Sequence, residues 1–138
     1  MGADHAGFEL KEKIKAHLTK KGTEVRDLSP KPVAGDDYPL VAKQVAKKVV
    51  KMDGQAVLVC GSGLGMDIAA NRVKGGRAVV VRNEKEAILS RQDDHANILV
   101  LGARLTPAKA ALKIVDTWLA TPFSKAARHE RRVKELDA

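Results

Sequence analysis

Cys60-Gly61-Ser62-Gly63-Leu64-Gly65 is the stretch of this sequence best equipped for chemistry. It sets a thiol and a hydroxyl two positions apart among alternating glycines. Gln55–Cys60 before it is a short apolar run with β-branched Val57 and Val59, which predicts a buried strand. Met66, Ile68, Ala69 and Ala70 after it predict the first turns of a helix. Glycine lets a backbone turn sharply and lets its N–H groups approach an anion. The helix start adds free N–H groups and a positive dipole end. A thiol at the end of such a strand loses its proton more easily than a free cysteine. A lone cysteine ending a buried strand is also commonly an inert small apolar residue. The loop by itself leaves both readings open.

The spacing excludes two familiar phosphate motifs. No Gly-Lys-Ser/Thr follows the glycines, so this is not a nucleotide P-loop. A dinucleotide fingerprint needs Gly or Ala where Met66 stands.

The elements that position the loop follow from periodicity. Helices are predicted over Phe8–Lys21, Tyr38–Met52, Glu84–Gln92, Pro107–Leu119 and Lys125–Leu136, the last capped by Ser124. In Tyr38–Met52, Val41, Val45, Val49 and Met52 are expected to face inward. Strands are predicted over Thr23–Leu28, Gln55–Cys60, Arg77–Val81 and Asn97–Leu101, with a loop at Ser29–Asp37. Strands alternating with helices predict an α/β three-layer sandwich on a mostly parallel sheet. Residues 1–138 are expected to form one domain. Such a sheet wants a full strand before Asp4, and only Met1-Gly2-Ala3 stands there, a first strand cut short. Ligands of these sheets bind at the carboxyl ends of the strands. That rule gathers Asp4, His5, Cys60–Gly65 and the segment after Val81 at one edge.

Composition narrows the classes. With 44% apolar residues and 3% aromatic, the core must be built from Val, Leu, Ile and Ala. One cysteine forbids an internal disulfide, and the expected setting is soluble, reducing and cytoplasmic. The longest apolar runs fall short of a membrane span. The formal net charge of +8 suggests an anionic partner. Phe8, Tyr38, Trp118 and Phe123 are far apart and none lies in a basic cluster, which argues against nucleic acid.

Six segments in order, Ala3-Asp4-His5-Ala6-Gly7-Phe8, Asp37-Tyr38-Pro39, Cys60–Gly65, Ile68-Ala69-Ala70-Asn71, Gly102-Ala103-Arg104 and Arg128-His129-Glu130-Arg131-Arg132, together carry a resemblance. The chain resembles the ribose-5-phosphate isomerase B and galactose-6-phosphate isomerase family along essentially its whole length. The resemblance implies a Rossmann-like fold with an extending C-terminal helix. It implies aldose–ketose isomerisation of a sugar phosphate through a cis-enediol, without metal or cofactor. Ribose 5-phosphate is the first substrate implied. A six-carbon sugar phosphate, or a binding module of the same fold that has lost catalysis, is the alternative.

The resemblance also assigns residues. Cys60 matches the base that moves the proton between adjacent carbons. Ser62 matches a hydroxyl that relays a proton between the substrate oxygens. Gly61, Gly63, Leu64 and Gly65 supply N–H groups to the enediolate. Asp4 and His5 match a pair that holds sugar hydroxyls and the phosphate region. Arg104, Arg128 and Arg132 match phosphate or hydroxyl contacts, for which the guanidinium fork is suited. Members form homodimers with a shared active site, alone or as a dimer of dimers. One departure stands out. The family's ring-opening histidine and following asparagine align with Asp93 and Asp94, and His95 falls two positions late. Asp93 and His95 are the candidate acids for that step.

Overall fold

The computed structural model describes residues 1–138. Its elements in order are β1 (Gly2–Ala3), α1 (Phe8–Lys20), α2 (Tyr38–Met52), β2 (Ala56–Cys60), α3 (Leu64–Ala70), β3 (Ala78–Val80), α4 (Glu84–Gln92), β4 (Ile98–Gly102), α5 (Ala108–Ala120) and α6 (Ala127–Asp137). The four strands run in the order β1-β2-β4-β3, and every pairing is parallel. β2 and β4 are central, and all their residues are buried. That explains their unbroken apolar sequence, since a strand covered on both faces has no solvent side to alternate toward.

Successive strand side chains enter opposite layers. Val57, Val59, Leu99 and Leu101 meet Leu10, Ile14 and Leu18 of α1, Ala87 of α4, and Ile114, Val115 and Trp118 of α5. Leu58, Cys60, Ile98 and Val100 meet Ala42, Val45, Ala46 and Val49 of α2, and Met66, Ala69 and Ala70 of α3. The three-layer sandwich predicted from alternation is therefore the fold. Each large side chain fully buried in it stabilises the fold by about 1.5–3 kcal/mol.

Local signals set the helix limits. In α2, Ala42, Val45, Ala46 and Val49 recur at helical spacing and are all buried. Proline lies in its first turn, where no backbone donor is lost. Asn83 caps α4 by accepting the Glu86 N–H at 2.9 Å. Pro107 stands immediately before α5.

Three expectations need correction. Thr23–Leu28 forms no strand. Its first N–H, of Thr23, closes the end of α1 on the Leu18 carbonyl at 3.0 Å, and beyond that its backbone meets Met1, whose amine donates to the Arg26 carbonyl at 2.6 Å and whose carbonyl accepts the Leu28 N–H at 2.9 Å. A ladder needs more than one residue on each side. Met52 is 53% exposed rather than inward, because it lines an open cleft beside Val25, Val49 and Val57 instead of packing in the core. Ser124 does not cap α6: the N-cap is Ala126, without a side-chain cap, and Ser124 Oγ instead lies 2.7 Å from His129 Nδ1.

α6 stands apart from both apolar layers, and His129 is its buried residue. Arg77 Nη1, just before β3, pairs with Asp137 Oδ2 at 2.7 Å. The Ser124 N–H donates to the Gln92 carbonyl at 3.2 Å. These contacts hold α6 at the amino ends of the strands. No helix is long and apolar enough to cross a membrane.

Candidate active site

Parallel strands place every strand-to-helix turn at one end of the sheet. Asp4 and His5 leave β1 there, Cys60–Gly63 leaves β2, and Ala103-Arg104 leaves β4. β2 and β4 are in register with Cys60 opposite Gly102. The turn after one strand fastens to the turn after the other. The Ala103 N–H donates to the Cys60 carbonyl at 2.8 Å, and the Arg104 N–H to the Gly61 carbonyl at 2.9 Å.

That pair of hydrogen bonds aims the Arg104 side chain. Its guanidinium lies so close over Gly61 that a β-carbon there would sit 2.9 Å from Nη1. A fixed positive charge thus covers the first residue after the thiol. Gly63 adopts φ +84°, and a β-carbon would meet Val80 Cγ2 at 2.8 Å. Only glycine meets both conditions comfortably. The resulting turn points the Gly63 N–H at Cys60 Sγ, 3.2 Å away. Cys60 itself is 4% exposed, so its sulfur is covered by hydrocarbon on one side and met by an amide on the other. Ser62 Oγ folds back to accept the Leu64 N–H at 3.3 Å.

Asp4 is buried. Its backbone N–H donates to the Val59 carbonyl at 3.3 Å, which sets it beside Cys60. Its Oδ1 accepts the Gly7 N–H at 2.9 Å. His5 follows, with Nδ1 2.8 Å from Asp36 Oδ1. The Tyr38 ring lies against Gly65, and its hydroxyl oxygen would be 2.8 Å from a β-carbon at that position. Met66 is fully buried in the α2–α3 layer. Asn71 ties α3 to β3. Its Nδ2 donates to the Asp67 and Ala78 carbonyls at 3.0 and 2.9 Å, and its Oδ1 accepts the Ala78 N–H at 2.8 Å. Asp67 beside it has one sealed oxygen with no partner. Burial pushes its carboxyl above the usual carboxylate range, and a bond from the Val80 N–H offsets this only in part.

The remaining predicted residues lie at the opposite end. α4 carries the chain back to the amino end of β4, so Asp93 and His95 emerge there. The His95 carbonyl accepts Arg77 Nε at 3.0 Å. Its ring stacks on Phe123 with centroids 4.5 Å apart and planes 9° from parallel. Burial, then the nearby Arg77 and Arg91 charges, lower its proton affinity below that of free histidine. Asp93 Oδ1 lies 3.7 Å from His129 Nε2. Arg128 and Arg132 are exposed on α6, one turn apart. One chain therefore brings together Asp4, His5, Cys60–Gly65 and Arg104, and holds Asp93, His95, Arg128 and Arg132 across the length of the sheet.

Four residues near these clusters went unassigned in the sequence: Asp36, Asp67, Gly7 as a packing position, and His129. Gly7 abuts the Val59 carbonyl, leaving no room for a side chain. His129 had a signal, its place between the arginines. Asp36 had none, because it reads as one of several polar loop residues.

The family profile described as Ribose/Galactose Isomerase matches residues 1–136. The chain belongs to the ribose/galactose isomerase family. Among curated members, ribose-5-phosphate isomerase B of Escherichia coli is 42% identical over 99% of this chain and 92% of its own length. The protein of Mycobacterium tuberculosis that bears the same name is 40% identical over 99% of this chain and 85% of its own. A ribose 5-phosphate isomerase of Thermotoga maritima superposes with TM-score 0.94 at 47% identity, covering 99% of this chain and 94% of that one. The ribose-5-phosphate isomerase B of Mycoplasma genitalium, solved with bound ribulose-5-phosphate, superposes with TM-score 0.93 at 42% identity, covering 99% and 91%. The ribose/galactose isomerase match takes in both ends of the sheet, the thiol loop and the arginine helix alike.

Proposed function

We propose that this chain, acting as one domain over residues 1–138, interconverts ribose 5-phosphate and ribulose 5-phosphate as an aldose–ketose isomerase. The observation that carries the reading is Cys60 Sγ facing the Gly63 N–H at 3.2 Å, with the Arg104 guanidinium covering Gly61 in the same turn. The Gly63 N–H and the Arg104 guanidinium thus put a donor and a positive charge in the turn that carries the sulfur. The thiolate takes the proton from C2 of the open aldose, and the electron pair moves to make a cis-enediolate. Amides of the Gly61–Gly65 turn stabilise the oxygen that gains charge. Ser62 Oγ passes a proton between O1 and O2. The Cys60 thiol then returns its proton to C1, which completes the ketose and regenerates the thiolate. Asp4 and His5 hold hydroxyls and the phosphate region.

The separation of the two clusters supports a shared site. Arg128 and Arg132 cannot reach Cys60 of their own chain from the far end of the sheet. A second copy, docked so that its α6 crosses the thiol loop, supplies them. The reading is therefore a homodimer whose sites each draw on both chains. Phosphate recognition by an exposed arginine pair one turn apart fits that arrangement.

The test is deuterium exchange. Ribose 5-phosphate incubated with the protein in D2O is expected to yield ribulose 5-phosphate, with solvent deuterium entering at the carbon that accepts the proton. Cys60→Ala is expected to lower both turnover and exchange about a thousandfold. Binding of ribose 5-phosphate with neither turnover nor exchange in the unaltered protein would assign a binding module instead. Parallel assays on allose and galactose 6-phosphates set the chain length of the sugar.

A further inference from the structure

The loop between α1 and α2 delivers a carboxylate to the mouth of the crevice. Asp36 Oδ1 accepts two N–H groups from one residue: the backbone amide of His5 at 2.9 Å and the imidazole Nδ1 at 2.8 Å. The two side chains are not equally covered. Asp36 is 16% exposed, whereas the His5 ring is 49% exposed. His5 directly follows Asp4, whose backbone is bonded to Val59 next to Cys60. The open side of the imidazole therefore stands at the same end of the sheet as the thiol.

An ionised carboxylate can only accept hydrogen bonds, so Nδ1 carries the hydrogen. Nε2 is then the nitrogen left for a ligand. In the neutral ring it accepts from a hydroxyl; in the cation it donates to a phosphate or ring oxygen. Without Asp36 the more stable tautomer of a free imidazole would place the hydrogen on Nε2 and leave Nδ1 bare, reversing what the ring offers. The backbone bond to the same oxygen fixes the carboxylate against rotation, so the ring is oriented as well as protonated on one side.

We propose that Asp36 is a positioning residue: it holds His5 as the Nδ1–H tautomer so that Nε2 meets an oxygen of the sugar phosphate. This rests on the isomerase reading for the ligand, and on the Asp36–His5 geometry for the rest.

The test uses the full chain in two measurements. Nitrogen-15 correlation spectra of the His5 ring are expected to show Nδ1–H in the unaltered protein. Asp36→Ala is expected to shift the ring toward Nε2–H, and Asp36→Asn, which keeps an acceptor oxygen, to retain Nδ1–H. In steady-state assays Asp36→Ala is expected to raise KM for ribose 5-phosphate about tenfold, with kcat little changed, and Asp36→Asn to recover most of that loss. In a His5→Ala background, Asp36→Ala should add nothing further. A ring that stays Nδ1–H in Asp36→Ala would overturn the proposal. So would an equal rise in KM with and without His5, which is what a purely structural loop contact gives. If the unaltered protein does not isomerise, the isomerase reading fails, and the ring spectra still decide the role of Asp36.

Discussion

The Gly63 amide and the Cys60 sulfur, three positions apart in one turn, face each other at 3.2 Å. That backbone donor is held by the turn rather than by a mobile side chain. The turn depends in its own right on the absence of a β-carbon at Gly63. Thiol and donor are therefore separable by mutation.

Cys60→Ala is expected to lower kcat about a thousandfold, the middle of the range for a positioned general base. Gly63→Ala should lower kcat about a hundredfold, the loss typical of one backbone donor to a developing anion. It should also destabilise the fold by about 1–2 kcal/mol for the left-handed backbone. Adding Val80→Ala to Gly63→Ala removes the side-chain clash and leaves the φ penalty, so it should recover stability in part and activity hardly at all. Initial rates and thermal melts on the three proteins check this.

Arg104 is aimed by its own backbone bond to Gly61 and by the close packing of its guanidinium there. Arg104→Lys keeps the charge and loses the fork. It should raise KM about tenfold while changing kcat less, because a planar bidentate donor is replaced by a point charge. A KM unchanged in Arg104→Lys would remove Arg104 from substrate binding.

How much of this was legible before the fold was known depends on how local each signal is. Glu84–Gln92 was readable to the residue because Asn83 and the spacing of Ala87 and Ser90 are local features. The three-layer sandwich was readable because strands and helices alternate along the chain. Thr23–Leu28 was not, since a strand exists only where another backbone pairs with it, and here that is Met1 alone. The thiol turn was legible from glycine spacing, but its charge came from Arg104, more than forty residues on. The Asp36–His5 contact spans 31 residues and has no periodic trace. Nor could the sequence say that Asp93 and Arg132 lie at the other end of the sheet from Cys60, because end-to-end placement follows from topology.

Asn71 shows what a motif residue does when its role is structural. Its side-chain amide makes three bonds, to Asp67 and twice to Ala78, joining the end of α3 to the start of β3. Asn71→Ala should destabilise the fold by about 2–3 kcal/mol, since partly buried backbone groups lose their partners. KM at a temperature where the protein stays folded should not move. Chemical denaturation beside steady-state kinetics distinguishes this from a binding role.

Asp67 predicts a pH dependence of stability. Burial raises its folded-state proton affinity above the unfolded value, against a smaller opposing effect from the Val80 N–H. A raised carboxyl binds its proton more readily when folded, so its contribution is full at low pH and is lost as pH climbs through the folded value. At neutral pH the charge is a burden, because one oxygen is sealed without a partner. Asp67→Asn should therefore melt higher than the unaltered protein at neutral pH. The gap should close below about pH 4, where both forms are uncharged. A gap that widens on acidification would show that Asp67 is held ionised by a partner.

The division of the site between the two ends of the sheet gives the sharpest test. If each site draws Cys60 from one chain and Arg132 from the other, Cys60→Ala and Arg132→Ala are inactivating for different halves. Each variant alone has no complete site. Mixing the two and allowing exchange makes mixed dimers in which one site carries both lesions and the other carries neither. With random pairing half the dimers are mixed and half of their sites are intact, so about a quarter of the unaltered activity should return. Exchange is followed by mass spectrometry of the mixture, and activity should rise in step with the mixed species. A mixture that exchanges fully and stays inactive would place both residues in the same chain's site, which the distance between α6 and the thiol turn would then have to be reconciled with by a large movement of α6.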